Sequence, residues 1–460
     1  MGIEHTVPGF RADTSRRTLI RGLAGWGALT VLPAKSAVFD VREQGAAADG
    51  AQLATKAIQA AVDACAKTGG GRVYFPPGRY LSGTVFLKTG VALELEAGAV
   101  LLGSKNLADY PDAIPAFRSY TDTYTRKSLI YAEKADNVAI LGRGKIDGQG
   151  AAFKGPYLVR PYMIRMIECR NILIEDVTIV DSPMWVQHYL ACDDVVIRGI
   201  KVSSKVNSNN DGIDIDGSQR VRISDCDINS GDDAIVLKST AGRPTRDVVV
   251  TNCTLTTSCN ALKLGTESNG GFENIAVSNC AIFDTRLAGI AVEMVDGGAL
   301  DRVSFSNIVM NNVGAPIFVR LGNRARPFVE GGPKPGMGKL RNLSISNVQA
   351  TGAGNVGCSI TGLPGYPAEN ITLDNIRLGF VGGGTAADAQ RKIEELADKY
   401  PEYRMFGTLP AYGFFCRHAR NLTLRNVETR FEAPEARPGL VTDDVEGLRL
   451  IDCGFANGPR

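Results

Sequence analysis

The amino-acid sequence predicts an all-β protein: one stacked β-solenoid, with a short capping helix at its start and a helical insertion towards its C-terminus. Three observations carry that expectation. A six-residue segment of alternating apolar residues recurs ten times, from NILIED at 171 to GLRLID at 447. Successive segments start 23, 26, 27, 27, 28, 40, 28, 51 and 26 residues apart, a period that fits strand-and-turn coils. All but one of the segments end in Asn or Asp, and the chain holds 52 glycines, residues suited to sharp, left-handed turns.

Taken in order, residues 1–37 read as an export leader. Ser15-Arg16-Arg17-Thr18-Leu19-Ile20 precedes a short apolar run, Gly22 to Leu32, and then Ala34-Lys35-Ser36-Ala37, the pattern of a Tat-type signal with a small-residue cleavage site. The apolar run is too short to remain as a membrane-spanning helix. A periplasmic or secreted protein follows, with residues 38–460 forming a single domain, expected to be monomeric and free of the membrane once the signal is removed. An amphipathic helix is expected from about Leu53 to Lys67, ended by Gly69-Gly70-Gly71; its place before the first strands suits a cap over an open sheet edge. The gaps of 40 and 51 residues mark loops inserted into otherwise regular coils. In the second of them, within about 380–415, Thr385 to Tyr400 has the apolar spacing of a helix.

Composition narrows the function. A net charge of +2 with 44% hydrophobic and 22% charged residues gives no reason to expect nucleic acid or an anionic membrane as partner. Ten cysteines in an exported chain raise the question of disulfides. Cys226, Cys253 and Cys280, however, follow the recurring Asn/Asp at matching offsets, which predicts an inward stack of thiols acting as small hydrophobes. Asp225, Asn252, Asn279 and Asn307 should stack as a side-chain ladder.

The density of aspartates between Asn207 and Ser239 points to the chemistry. Aligning DGIDID from 211 with DAIVLK from 233, NALKLG from 260 and GIAVEM from 289 turns Ile213, Ile235, Leu262, Ile290 and Ile215, Leu237, Leu264, Val292 inward. The other face then carries Asp211, Asp214, Asp216, Asp233, Lys238, Asn260, Lys263 and Glu293. Asp211 and the pair Asp232-Asp233 fall on adjacent rungs, about 4.8 Å apart, of an exposed face. Carboxylates this close raise one another's pKa. A protonated one beside an ionised one is what glycoside hydrolysis needs: an acid for the leaving oxygen and a base for water, roughly 6.5–9.5 Å apart for inversion. A shallow groove along the solenoid would suit a polymeric sugar.

Asn209-Asn210-Asp211-Gly212 followed by Gly231-Asp232-Asp233 resembles the polygalacturonase family, glycoside hydrolase family 28. Ile146-Asp147-Gly148-Gln149-Gly150 and Ser182-Pro183-Met184-Trp185 are similar to its earlier coils, so the resemblance covers most of the chain. It implies a right-handed parallel β-helix and hydrolysis with inversion, with no metal or other cofactor. It also implies Asp232 as general acid, and Asp211 and Asp233 positioning and activating water. Two departures bear on the substrate, a polysaccharide or oligosaccharide. Cys259-Asn260-Ala261 stands where the family has Gly-His-Gly, and Ala291-Val292-Glu293 where it has the Arg-Ile-Lys that binds a galacturonate carboxylate. Rhamnogalacturonan, a modified uronide or a neutral or branched sugar is therefore expected over plain homogalacturonan. Lys238, Lys263 or Arg320 are the positions from which positive charge could be restored.

Other positions carry paired readings. His188, with Trp185 as stacking platform, forms a sugar subsite or packs within its coil. Glu267 binds hydroxyls or faces water, and Arg320, Arg324 and Arg326 form a basic rim or plain solvated charge. Tyr412, Arg417 and His418 line the far end of the groove or pack the insertion. Two other functions compete on the same scaffold: a polysaccharide lyase or epimerase, and a non-catalytic carbohydrate-binding or adhesive solenoid.

Overall fold

The computed structural model describes residues 37–456; the expected leader lies, apart from Ala37, outside the described residues. Those residues form a right-handed parallel β-helix. Three strands complete a coil, and each pairs in parallel with the strand one coil on: Tyr162–Ile167 with Gln187–Leu190, Arg170–Glu175 with Asp193–Arg198, Thr178–Val180 with Lys201–Ser204. From Phe272 onward the strands run unbroken round the corners, as in Phe272–Met294 and Ala299–Leu321.

The inward columns are those expected. Ile213 is in register with Ile235, Leu262, Ile290 and Ile317, and Ile215 with Leu237, Leu264, Val292 and Val319. All are at most 2% exposed, members of one apolar core that runs the length of the helix. The helix Thr55–Lys67 closes the N-terminal end with Ile58, Ala61, Val62 and Cys65, the i, i+3, i+4, i+7 stripe of its amphipathic pattern.

The recurring Asn/Asp turns the chain as expected. Asp225, Asn252, Asn279, Asn307, Asn347, Asn375 and Asn426 all have φ between 49° and 59°. From Asn279 onward their side chains form the ladder: Asn307 Nδ2 donates to Asn279 Oδ1 (3.1 Å), Asn347 to Asn307 (3.0 Å), Asn375 to Asn347 (2.7 Å) and Asn426 to Asn375 (2.9 Å). Asn252 bonds Asp225 (3.3 Å), and the expected link from Asn279 to Asn252 is replaced by one to Thr251 Oγ1 (3.3 Å). A second corner, at the first residue of each segment, repeats the device with Asn342, Asn370 and Asn421. Cys226, Cys253 and Cys280 are buried free thiols, each with Sγ donating to the carbonyl two residues back.

The insertion differs from its expected form. Only Ala386–Ala389 is helical, behind a capping box of Thr385 and Asp388. Beyond it the main-chain carbonyls are taken by arginines of the solenoid instead of a helical ladder. Arg417 donates to Ile393 O (2.6 Å) and Glu394 O (2.9 Å), and Arg320 to Glu395 O (2.5 Å). Ile393, Leu396, Tyr403 and Phe406 pack on Leu287, Ala291, Phe318 and Phe415, an apolar patch on the outside of the front sheet. The segment is a strap pinned across that sheet.

Asn307→Ala should lose both ladder bonds and the tolerance of asparagine for a left-handed corner, destabilising by about 1–2 kcal/mol. Asn307→Gly, which keeps the backbone at ease, should cost less. Urea unfolding midpoints of the two variants and the parent check this.

Candidate active site

The front sheet is formed by Gln187–Leu190, Ile213–Asp216, Ile235–Ser239 and Leu262–Ser268 with the coils on either side. Asp211 and Asp233 stand at the strand entrances, one rung apart, where Gly212 N–H donates to Asp233 O (2.9 Å). A Cβ at Gly212 would lie 2.5 Å from Ala234 O, so the close approach of these rungs requires glycine. Asn210 fixes the corner before Asp211. Its Nδ2 donates to Ser182 O (2.9 Å) and Met184 O (3.0 Å), and its Oδ1 accepts from Ser204 Oγ and Asn207 N (both 3.1 Å). Asp232 Oδ1 accepts from Asp233 N (3.0 Å).

Two lysines of the same sheet manage the negative charge. Lys263 Nζ lies 2.9 Å from Asp233 Oδ2, 3.5 Å from Glu293 Oε2 and 3.3 Å from Tyr400 Oη. Lys238 Nζ lies 3.3 Å from Glu267, 3.5 Å from Asp214 and 3.8 Å from Asp211, and 4.7 Å above the Trp185 ring. Burial would raise the Asp233 carboxyl, but Lys263, Lys238 and the Asn260 amide (Nδ2 to Oδ1, 2.8 Å) hold it below the usual carboxylate range. Asp232 goes the other way, raised by burial and by the charge of Asp233. Asp211 is raised well above its ordinary value by burial, then by Asp232 and Asp214. Glu293, fully buried with both oxygens unpaired by hydrogen bonds, is pushed up by burial to about 7.

The expected exposed face is in fact enclosed. Asp211 and Asp233 are each 3% exposed, Asn260 3% and Lys263 4%; Asp232 is the half-buried member of the trio. The cause lies in the loops, which no strand pattern reveals. On one side the strap brings Tyr400 to Lys263. On the other, Tyr124 stacks on Tyr157 (4.6 Å, 17°) and meets Trp185 edge-on. Tyr124, Tyr157 and Tyr400 went unremarked as site residues in the sequence, since their approach depends on insertions rather than register. So did Cys259, which with Asp232 and Asp233 offers atoms within 4.8 Å of one another; Lys263 already supplies positive charge there.

The remaining expected residues divide. Lys238, Lys263, Asn260 and Glu293 join the aspartates. Asn209, with φ 57°, turns aside to accept from Arg160 Nη2 (2.9 Å). His188 is wholly buried: its Nε2 pairs with Asp216 (3.2 Å) and its ring stacks on Tyr162, so it packs within the coil and does not present a sugar subsite. Arg320 is likewise buried, spent on Thr361, Gly362 and the strap, and does not bring charge to the aspartates. Arg417 pins the same strap, and His418 joins Glu395 (3.1 Å) to Asp444 (2.6 Å). Arg324 pairs with the buried Asp296, and Glu267 sits between Lys238, Arg324 and Arg326.

The model of glycosyl hydrolases family 28 matches residues 77–397. The chain belongs to that family. It is a glycoside hydrolase, which sets aside the lyase, epimerase and adhesive alternatives. A second model, described as rhamnogalacturonase A/epimerase, pectate lyase-like, matches residues 38–111. Among similar proteins, a probable polygalacturonase of Vitis vinifera is 28% identical over 369 residues, 73% of this chain and 72% of that one. An exopolygalacturonase of Platanus acerifolia is 27% identical over 76% of this chain and 92% of its own. A solved family 28 exopolygalacturonase of Yersinia enterocolitica superposes with a TM-score of 0.72 at 21% identity, covering 92% of this chain and 80% of that one.

Glu293 makes a pH test of the burial. Its folded pKa, about 7, exceeds the unfolded 4.5, so the folded state holds a proton that the unfolded state has released between these values. Its contribution to stability is full below 4.5 and is lost as pH rises through 7. Melting temperatures of the parent should therefore fall more steeply across that interval than those of Glu293→Gln.

Proposed function

We propose that the protein is an inverting, chain-end-acting hydrolase of pectin-related oligosaccharides, in which Asp232 protonates the leaving oxygen and Asp233 activates water. The observation that carries the roles is the unequal setting of two neighbouring carboxyls. Asp233 holds Lys263 Nζ (2.9 Å) and Asn260 Nδ2 (2.8 Å), which keep it ionised, while the half-buried Asp232 has no cation within ion-pair distance among the described residues. Asp233, ionised beside Lys263, takes a proton from water as that water attacks the anomeric carbon. Asp232 gives its proton to the departing oxygen as the glycosidic bond breaks. Asp211, on the neighbouring rung, positions the water. The names of the relatives support pectic substrates, and action at chain ends is supported by the enclosure of the aspartates between the strap and the Tyr124–Tyr157 wall. The buried Glu293, in place of a cation, favours an uncharged sugar at the subsite beside it, as in rhamnogalacturonan or a modified uronide. The twin-arginine motif at Arg16-Arg17 supports export.

Asp232→Asn should lower kcat by about 10²–10⁴-fold on a substrate the parent cleaves from a panel of pectic oligosaccharides, and turnover within tenfold of the parent would reject the roles. NMR of the first product should show the inverted anomer, and polymer digestion should release short products with little early loss of viscosity. The active form has Asp232 protonated and Asp233 ionised. Rates should therefore fall as pH rises through the raised value of Asp232 and as it drops through the lowered value of Asp233. Lys263→Met removes the cation that holds Asp233 down, so the acidic limb of the kcat/KM profile should move to higher pH.

A further inference from the structure

Beside the enclosed aspartates, the loop of Tyr120 and Tyr124 meets the loop of Arg326 across a cavity of about 380 Å³, within the usual range of ligand pockets. Two segments 202 residues apart in the chain are joined there by Arg326 Nη2 donating to Tyr124 Oη (2.8 Å). The Arg326 guanidinium lies 3.7 Å from the centre of the Tyr120 ring and remains about one-third exposed. Glu267, 3.8 Å from Arg326, lies 3.3 Å from Lys238, which in turn lies 3.8 Å from Asp211, so this cavity is linked to the aspartates through a chain of charged side chains.

The charges on this side differ from those on the strap side. Arg324 is engaged by Asp296 with two hydrogen bonds. Arg326 bonds the neutral Tyr124 hydroxyl, and its nearest carboxylate oxygen, on Glu267, is 3.8 Å away and at the same distance from Arg324. Its donor fork is thus incompletely used, at the edge of the cavity that Tyr120 and Tyr124 also line. Glu330, at the cavity mouth, is exposed and screened by water. Across the site, Lys263 is outnumbered by Asp233 and Glu293.

We propose that Arg326, with Tyr120 and Tyr124, binds the carboxylate of a uronic acid residue of the substrate, one subsite from the bond that is cut. The proposal rests on the reading of the protein as a hydrolase of pectin-related sugars and adds where the acidic sugar sits: on the Arg326 side, opposite the subsite of Glu293.

The test uses trigalacturonate and its carboxyl-reduced counterpart. Turnover is measured with the parent and Arg326→Gln, and binding by calorimetry with the same pair carrying Asp232→Asn. Arg326→Gln should weaken trigalacturonate binding, and kcat/KM where turnover occurs, by tenfold or more, the scale of a charge-assisted pair. The reduced sugar should change less than about twofold under the same criterion, with Arg326→Lys intermediate on the acid and the melting temperature unmoved. Equal losses on both sugars, or no loss on the acid, would overturn the assignment. If the parent turns over neither sugar but its Asp232→Asn form shows the Arg326-dependent preference in binding, the hydrolytic reading of this substrate fails and the carboxylate site stands.

Discussion

Parallel register, held rung by rung, is the constraint on which everything else depends. Since strand residues alternate sides, a slip of one residue on any coil would move Asp214 or Lys263 into the core and Ile213 or Leu262 out of it. The left-handed corners prevent that slip. Each Asn or Asp at φ near 55° turns the chain at the same place on its coil, and from Asn279 onward its side chain bonds the equivalent residue of the neighbouring coil. The inward thiols after those corners complete the level without adding bulk. The core is thus a set of columns, and the site is the outer surface of the same columns.

That arrangement gathers more negative charge than bare carboxylates tolerate, and lysines relieve it from within the sheet. Lys238 and Lys263 are each buried, and each is shared among several acids. Their unequal reach separates the carboxyls: Lys263 is hydrogen-bonded to Asp233, and its pull on Asp232 does not offset burial and the charge of Asp233. A cation on the adjacent coil thus tunes the pair, while Glu293 adds a buried carboxyl one coil further on.

Period and alternation were legible in the sequence because they are local. They gave the solenoid, the two inward columns, the cap helix and the rung-to-rung meeting of Asp211 with Asp232 and Asp233. What stayed hidden depends on long-range approach. Nothing in Tyr124 and Arg326 marks them as neighbours across 202 residues. The apolar spacing of residues 385–400 fits a helix, but it is satisfied instead by packing on Leu287 and Phe318, while arginines take the carbonyls. His188 and Arg320 were misplaced for a related reason: register puts a side chain on the outer face, but loops laid over that face decide whether it meets water.

Arg320 and Arg417 grip the strap through main-chain oxygens of residues 393–395, atoms that every amino acid possesses. Anchorage therefore combines backbone atoms that any sequence supplies with the side chains of Ile393, Glu395 and Leu396. The stretch that follows, ending in Tyr400 against Lys263, is free to diverge without loosening its mooring. Such a fixture would let new contacts with sugars be tried one residue at a time over an unaltered catalytic floor.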